Sequence, residues 1–349
     1  MLYFVQTAVF FEKSSMAELA GMARFKIIDK QLNNFIIETG KDLIKRMGKR
    51  DTTFVYSAFP LLSKSKIGGD YLDSIYKSLA KTIKIAGIPK SEVMRLECYD
   101  INNREGYSAK DLEVRFGKAL IKDGYNADLL SPERLVYLVL LNGNCYVGQS
   151  RYSDLKAKAL NPLRAYSQTD HTSRAEMKMA EAFENFGIKA DGIALDLGAA
   201  PGGWSKFLAL NGFKVLAVDS AELDYDSLKK SGLRVTVSPK SIKAALMKCD
   251  IVHVKARSSS FLGKAKGMRI DLLADDMNMD CESSAGEVLK YAPLMRPGST
   301  LVMTIKCMNR NAPKYMAQAK KMLSPAFSIK GIRVLPVNRQ ELTLYAVKK

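Results

Sequence analysis

The sequence is poor in the residues on which much enzyme chemistry is built. Only two histidines, His171 and His253, occur in 349 residues, which leaves little material for a histidine base or a histidine-ligated metal. The five cysteines, Cys98, Cys145, Cys249, Cys281 and Cys307, stand far apart with no Cys-x-x-Cys pair. They are expected to be reduced and buried, in a cytoplasmic protein that holds no metal. No apolar run approaches the roughly 18–20 residues of a membrane span, and Met1-Leu-Tyr-Phe-Val5 lacks the basic leader and cleavage site of a signal peptide. No membrane partner is expected. Gly-x-Gly-x-x-Gly is missing, and no Gly-Lys-Ser/Thr follows a glycine loop, which argues against a phosphate cradle.

What is abundant is positive charge. Lys and Arg number 54 against 36 Asp and Glu, a net +18 with a pI near 9.5. Residues 1–165 carry 26 basic and 18 acidic side chains, and residues 166–349 carry 28 and 18, so both halves are basic. Such a balance suits a polyanionic partner, because lysines and arginines replace the counterions along a phosphate backbone. Hydrophobic content of 47% is ordinary for a globular chain, and the length allows two or three domains.

The chain is organised around Ile193 to Trp204. Ile193–Leu197 is a short apolar run with one acid inside it, bounded by glycine, and reads as a buried strand. Gly198, Pro201, Gly202 and Gly203 then cluster where a strand must reverse into a helix, and the missing β-carbons let a bound molecule lie against the backbone. A second strand over Lys214–Val218 ends in Asp219, about 20 residues beyond the glycines, where an acid bonds ribose hydroxyls in nucleotide-binding α/β folds. This is a nucleoside-cofactor site.

Along the rest of the chain, strand-like alternation over Tyr3–Phe10, a helix over Ser15–Ala23, a strand at Asn34–Glu38 and a helix at Asp42–Met47 describe a small α+β (ferredoxin-like) unit, residues 1–51. Its basic cluster is Lys45, Arg46, Lys49 and Arg50. A second α+β layer, 52–150, has strands at Phe54–Phe59, Met94–Tyr99 and Leu135–Leu141, a polar Gly-rich loop at Ser63–Asp70, and helices at Tyr71–Ala86 and Ser108–Lys122 with Ser108 as N-cap. Asn142-Gly143 is a hairpin turn. Residues 151–172 read as a basic linker, and 173–349 as a doubly wound, largely parallel sheet opening on an amphipathic helix, Ser173–Phe186. In that sheet the third strand is Ile251–Val254, with Leu233–Val237 as an insertion. Arg296–Ser299 reads as a turn before the fifth strand, and the closing pair Ile329–Pro336 and Glu341–Val347 as an antiparallel edge.

The run Asp196-Leu-Gly-Ala-Ala-Pro-Gly-Gly-Trp204 resembles the first motif of class I S-adenosylmethionine (SAM) methyltransferases, in the form used by FtsJ-type RNA methyltransferases. The resemblance implies SAM as cofactor, lined by Asp196, Gly198, Ala199, Pro201, Gly202, Gly203, Trp204, Asp219 and Asp276. An acid ending the third strand, which such enzymes commonly use for the adenine amino group, is absent, since Ala256-Arg257 stand there. Arg95–Tyr99, the Ser108 helix, Ser131-Pro-Glu133 and Tyr146-Val-Gly148 look like the second half of a THUMP domain, an RNA-binding module of tRNA- and rRNA-modifying enzymes. The whole order is most similar to the RlmM family, bacterial large-subunit rRNA cytidine 2′-O-methyltransferases. The match is clear from about residue 93 onward and weak before it.

Lys178, Asp276, Lys306 and Glu341 resemble, in order and context, the Lys-Asp-Lys-Glu tetrad of FtsJ-like ribose 2′-O-methyltransferases. Asp275 competes with Asp276 for the acid position. A ribose 2′-hydroxyl is a poor nucleophile, so it must be aligned with the methyl donor and relieved of its proton. On this reading Lys306 lies nearest the hydroxyl, as base or as oxyanion stabiliser. Lys178 would lower its pKa by repulsion and Asp276 would favour its charged form, while Glu341 holds the hydroxyl or a lysine. The expected activity is 2′-O-methylation of structured RNA, rRNA or tRNA. The alternatives are a THUMP-type base methyltransferase, whose Asn/Asp-Pro-Pro-Tyr/Phe motif is absent here, and a non-catalytic RNA-binding module.

Overall fold

The computed structural model describes residues 1–48, 52–101, 106–129, 131–152, 174–308 and 311–349. The linker expected at 151–172 falls almost wholly outside them, as do Ser173 and the pair Lys49 and Arg50. The chain divides into two compact units, residues 1–161 and 162–349.

The first unit is one eight-stranded sheet in the order β2-β3-β1-β4-β8-β7-β5-β6. Its strands are β1 (Leu2–Thr7), β2 (Lys26–Gln31), β3 (Asn34–Glu38), β4 (Val55–Lys66), β5 (Val93–Asp100), β6 (Asn126–Ala127), β7 (Arg134–Leu141) and β8 (Asn144–Arg151). Helices α1 (Glu12–Met22), α2 (Leu43–Gly48), α3 (Tyr71–Ile85) and α4 (Ala109–Lys122) complete it. Because β1 pairs with both β3 and β4, the segments 1–51 and 52–150 contribute to a single sheet. Ser108 caps α4 in a capping box with Asp111, which satisfies two otherwise orphaned donors. Asn142 and Gly143 both take positive φ, 49° and 74°, as the two-residue hairpin between β7 and β8 demands.

β7 is buried along almost its whole length because it has a core on each face. Val136, Leu138 and Leu140 pack with Ile75, Leu79 and Ile83 of α3 and Leu112, Phe116 and Leu120 of α4. Leu135, Tyr137, Val139 and Leu141 meet Phe4, Ile36, Phe59 and Tyr99 on the other face, where Phe59 stacks on Tyr137 with centroids 3.7 Å apart. Asp29 of β2 accepts hydrogen bonds from Asn142 (2.7 Å) and Tyr146 (3.0 Å) at the β7–β8 hairpin, so the sheet curls until its first edge meets its middle.

The second unit is a doubly wound sheet in the order β11-β12-β10-β9-β13-β14-β16-β15. Its strands are β9 (Ile193–Leu197), β10 (Lys214–Asp219), β11 (Val235–Val237), β12 (Ile251–Lys255), β13 (Ile270–Asp275), β14 (Met295–Lys306), β15 (Phe327–Arg333) and β16 (Glu341–Lys348). Helices α5 (Arg174–Phe186), α6 (Gly203–Leu210), α7 (Tyr225–Lys230), α8 (Ile242–Lys248), α9 (Ser258–Phe261), α10 (Cys281–Tyr291) and α11 (Ala312–Leu323) connect and cover them. Neighbours pair in parallel from β11 to β14, while β16 runs antiparallel to both β14 and β15, the expected edge. From β9 the chain moves outward to β10 and β12 on one side and later to β13 and β14 on the other. The crevice at the carboxyl ends of β9 and β13 is therefore the switch point where ligands bind in such sheets.

Several local expectations are corrected. β4 runs on through Lys66, so Ser63–Lys66 is strand, held by pairing with Asn144–Val147 of β8. Lys26–Gln31 is a strand that polar spacing concealed, because β2 is an edge. The first strand stops at Thr7, short of Phe10. Val235–Val237 belongs to the sheet, pairing with Ile251–His253. Arg296–Ser299 is an irregular part of β14, with a register shift against β13.

Candidate active site

Residues distant in sequence meet at the switch point. Lys178 Nζ lies 3.0 Å from Asp276 Oδ2 and 2.6 Å from Glu341 Oε1. Lys306 Nζ lies 2.9 Å from both Asp276 Oδ1 and Glu341 Oε2. Two ammoniums and two carboxylates thus form a closed ring, each charge touching two of the opposite sign. Lys306 and Glu341 face one another because they are paired in the β14–β16 register. Lys178 enters from α5, and Asp276 sits one residue beyond β13.

The electrostatics follow from this ring. Burial alone would raise the Asp276 carboxyl, but the Lys178 and Lys306 ammoniums outweigh it and hold its pKa below the usual carboxylate range. Burial would likewise lower Lys306, yet Asp276 and Glu341 outweigh it and its pKa is raised. The depression of Lys306 by Lys178 foreseen from the sequence is therefore overridden, because two carboxylates lie in contact with it. Lys306 is charged at neutral pH. Asp275 does not join the ring. It is buried, and it accepts hydrogen bonds from Ser284 Oγ and from the Met277 backbone N–H. Burial pushes its carboxyl up to about 7.

Beside the ring lies the glycine loop. A β-carbon on Gly198, whose φ is +75°, would stand 2.9 Å from Met277 Cα, so only glycine lets the loop pass this close to the residue after Asp276. Gly202, with φ +114°, turns the chain into α6, which Gly203 opens. Asp219 Oδ2 accepts from the Ala200 N–H (3.0 Å) and Oδ1 from the Ala221 N–H (2.9 Å), which holds the end of β10 against the loop. Ala199 is buried and Pro201 exposed. Trp204 is 3% exposed and packs in the core of the unit, with its Nε1–H lacking a hydrogen-bond partner.

Asp196 accepts from Ser205 Oγ (2.6 Å) through Oδ2, while its buried Oδ1 has no hydrogen-bond partner. Burial raises its pKa to about 7, and Asp276, Asp275 and Asp219 add to the rise. The carboxyl ends of β9, β10 and β13 are thus crowded with acids, of which only Asp276 is matched by the two lysines. Such a site fits a ligand bearing positive charge beside a ribose.

Two supporting contacts escaped the sequence reading. Arg174 Nη2 stands 3.7 Å from Glu341 Oε1. His253 is buried in β12, with Nδ1 2.7 Å from the Tyr225 hydroxyl and Nε2 3.2 Å from the Asp219 carbonyl. Burial lowers its pKa, so the ring is neutral at pH 7, with Nε2–H donating to Asp219 and Nδ1 accepting from Tyr225. The only sequence signal was a histidine inside an apolar strand in a chain that has two. Among the described residues, no group of three or more His, Cys, Asp or Glu side chains is placed to hold a metal ion, and no helix is long and apolar enough to cross a membrane.

A doubly wound sheet of this order, with a glycine loop after β9 and acids at the ends of β10 and β13, has the architecture of a class I methyltransferase. Within that class, residues 171–325 match the FtsJ-like methyltransferase family. The chain is 36% identical over 196 residues to the ribosomal RNA large subunit methyltransferase M of Cellvibrio japonicus, covering 51% of this chain and 55% of that protein. It is 29% identical over 198 residues to an uncharacterised protein of Methanocaldococcus jannaschii, covering 55% of this chain and 50% of the other. The chain therefore spans about half the length of the curated relatives it matches. Among solved structures, TrmN from Thermus thermophilus is similar at 16% identity with a TM-score of 0.38, covering 100% of each chain.

Proposed function

We propose that the protein is a SAM-dependent RNA ribose 2′-O-methyltransferase acting on structured RNA, rRNA before tRNA. The observation that carries this reading is the closed ring of Lys178, Asp276, Lys306 and Glu341 beside the Gly198–Trp204 loop. The cofactor supplies an electrophilic methyl on a sulfonium. Asp219 suits the ribose hydroxyls, the loop backbone from Gly198 to Gly203 suits the amino-acid end, and the unmatched Asp196 suits the positive charge.

Lys306 is held protonated by its two carboxylates, so it orients the target hydroxyl by donating to its oxygen. It does not abstract the proton in the ground state. With the cofactor held by Asp219 and the Gly198–Gly203 backbone, its methyl would pass to the hydroxyl oxygen, whose proton would then need an acceptor. Of the two carboxylates 2.9 Å from Lys306 Nζ, Glu341 is proposed to receive it, because the Asp276 pKa is held below the usual range. Lys178 and Asp276 keep this pair in register, and alignment supplies much of the acceleration.

Base methylation through a cysteine nucleophile finds no support at the site. Burial raises the Cys281 thiol to about 11 and the Cys307 thiol to about 12, so neither is a thiolate at neutral pH. The first unit, with α3, β5, α4, β7 and β8 in the order read as a THUMP domain, is proposed to grip RNA by shape and phosphate. The place of action is proposed to be the cytoplasm. The test is methyl transfer from labelled SAM to separated rRNA and tRNA, followed by nucleoside mass spectrometry. A 2′-O-methylnucleoside is expected. A base-methylated nucleoside, or no label in any RNA, overturns the reading.

A further inference from the structure

Glu181 is buried in the second unit, 1% exposed, on the same face of α5 as Lys178 and three residues beyond it. Its Oε2 accepts the backbone N–H of Val337 at 3.2 Å, across 156 residues of sequence. Val337 stands in the connection 334–340 between β15 and β16, four residues before Glu341. The other carboxyl oxygen, Oε1, is buried without a hydrogen-bond partner. We propose that Glu181 is a positioning residue, which ties the helix carrying Lys178 to the connection that leads into Glu341 and so sets two adjacent corners of the charged ring.

The inference rests on the function proposed above and goes one step deeper into the same site. Lys178 and Glu341 approach from separate elements, and their 2.6 Å contact needs α5 and the β15–β16 connection to be locked together. Apolar packing gives part of that lock, with Phe186 of α5 lying against Gly331 of β15. Packing lets a helix slide by fractions of an ångström, whereas a hydrogen bond to a named N–H sets its register.

The proton inventory agrees. The charged groups on the elements around Glu181 are Arg174, Glu176, Lys178 and Glu184 on α5, Lys206 on α6, Lys330 and Arg333 on β15, Arg339 in the connection, and Glu341 and Lys348 on β16, and Lys206 pairs with Glu176 at 3.2 Å. Lys178 and Glu341 are committed to the ring, Arg333 donates to Asn185 (3.4 Å) and lies over the Phe186 ring, and Glu184 has the same sign as Glu181. Burial, opposed by the Val337 N–H and aided by Glu184, raises the Glu181 pKa to about 8. At neutral pH the side chain is a neutral acid that accepts through one oxygen. In either protonation state Oε2 accepts the Val337 N–H, and the carboxylate accepts it more strongly, so the lock does not depend on ionisation.

The test compares Glu181→Gln, Glu181→Leu and the unsubstituted protein. Once methyl transfer by the unsubstituted protein is established, Glu181→Leu, which removes the acceptor but keeps the volume, is expected to lower kcat at least tenfold with KM for RNA and SAM affinity within threefold. Glu181→Gln, which keeps a neutral acceptor, is expected to recover most of that loss. Amide hydrogen exchange at Val337, which needs no activity, is expected to quicken in Glu181→Leu and to stay slow in Glu181→Gln. Exchange at Val337 that is unchanged in Glu181→Leu, or a kcat lost equally in Glu181→Leu and Glu181→Gln, overturns the proposal. An unsubstituted protein that transfers no methyl while Val337 still responds to Glu181→Leu overturns the functional reading and leaves the lock standing.

Discussion

At the scale of single residues, the ring of four charges depends on mutual compensation. Removing one member leaves the others buried and unbalanced, which is costly. Lys306 is the safest to remove, being the more exposed of the two lysines. Lys306→Ala is expected to lower kcat by about 10²–10³-fold, the effect of deleting one preorganised donor, with SAM affinity within threefold. Near-normal turnover in a single-turnover assay would remove Lys306 from the mechanism.

The buried acids make a second residue-scale prediction. Asp196 and Asp275, with pKa values near 7 in the folded protein, bind their protons more tightly than in the unfolded chain, where aspartate titrates near 4. Their contribution is complete below about pH 4 and is lost as pH rises through about 7. Thermal melts should therefore show stability falling from pH 5 to pH 8, and Asp275→Asn should flatten the fall. A slope unchanged by that substitution would show that Asp275 is ionised in the native state across the window.

At the scale of elements, two glycines with different surroundings separate conformational need from mere smallness. Gly198→Ala places a β-carbon 2.9 Å from the Met277 backbone at φ +75°. It is expected to cost about 1–3 kcal/mol in denaturant unfolding and at least tenfold in SAM affinity by calorimetric titration. Gly286→Ala, inside α10 with nothing within 4 Å of the new carbon, is expected to stabilise by about 0.5–1 kcal/mol. If both substitutions behaved alike, the close approach of the loop to β13 would have no energetic meaning.

Elements with a strong local signature were legible in the sequence. The Ser108 cap, the Asn142-Gly143 turn, the strand into Gly198 and the unbroken apolar β7 each carry their cause in neighbouring residues. Edge strands were not. β2 and β11 bury few side chains and show no clean alternation, so only their pairing with β3 and β12 identifies them. The trans-molecular contacts of Glu181 and His253 were silent for the same reason, since neither partner lies near in sequence.

At the scale of the whole molecule, a net charge of +18 spread over both halves, taken with the proposed RNA substrate, predicts binding dominated by phosphate contacts. RNA affinity should fall steeply with salt, log K changing by about −0.9 per phosphate contacted in duplex, with a slope steeper than about −4 by filter binding. Deleting residues 1–161 should weaken RNA binding at least tenfold and leave SAM binding unchanged. A slope near zero, or full affinity in the deletion, would contradict a polyanion held largely by the first unit.

The sequence by itself pointed to the glycine loop, the class of sheet and the four charged residues that the structure brings into one ring, because each follows from local periodicity, turn chemistry or the family resemblance. Tertiary structure decided how those charges behave. That Lys306 stays protonated, that Asp276 and not Asp275 meets the lysines, and that Asp196 keeps an unmatched buried oxygen all depend on distances between strands β9, β13, β14 and β16. Electrostatic energy is set by separation and burial, and neither is written in the order of the residues.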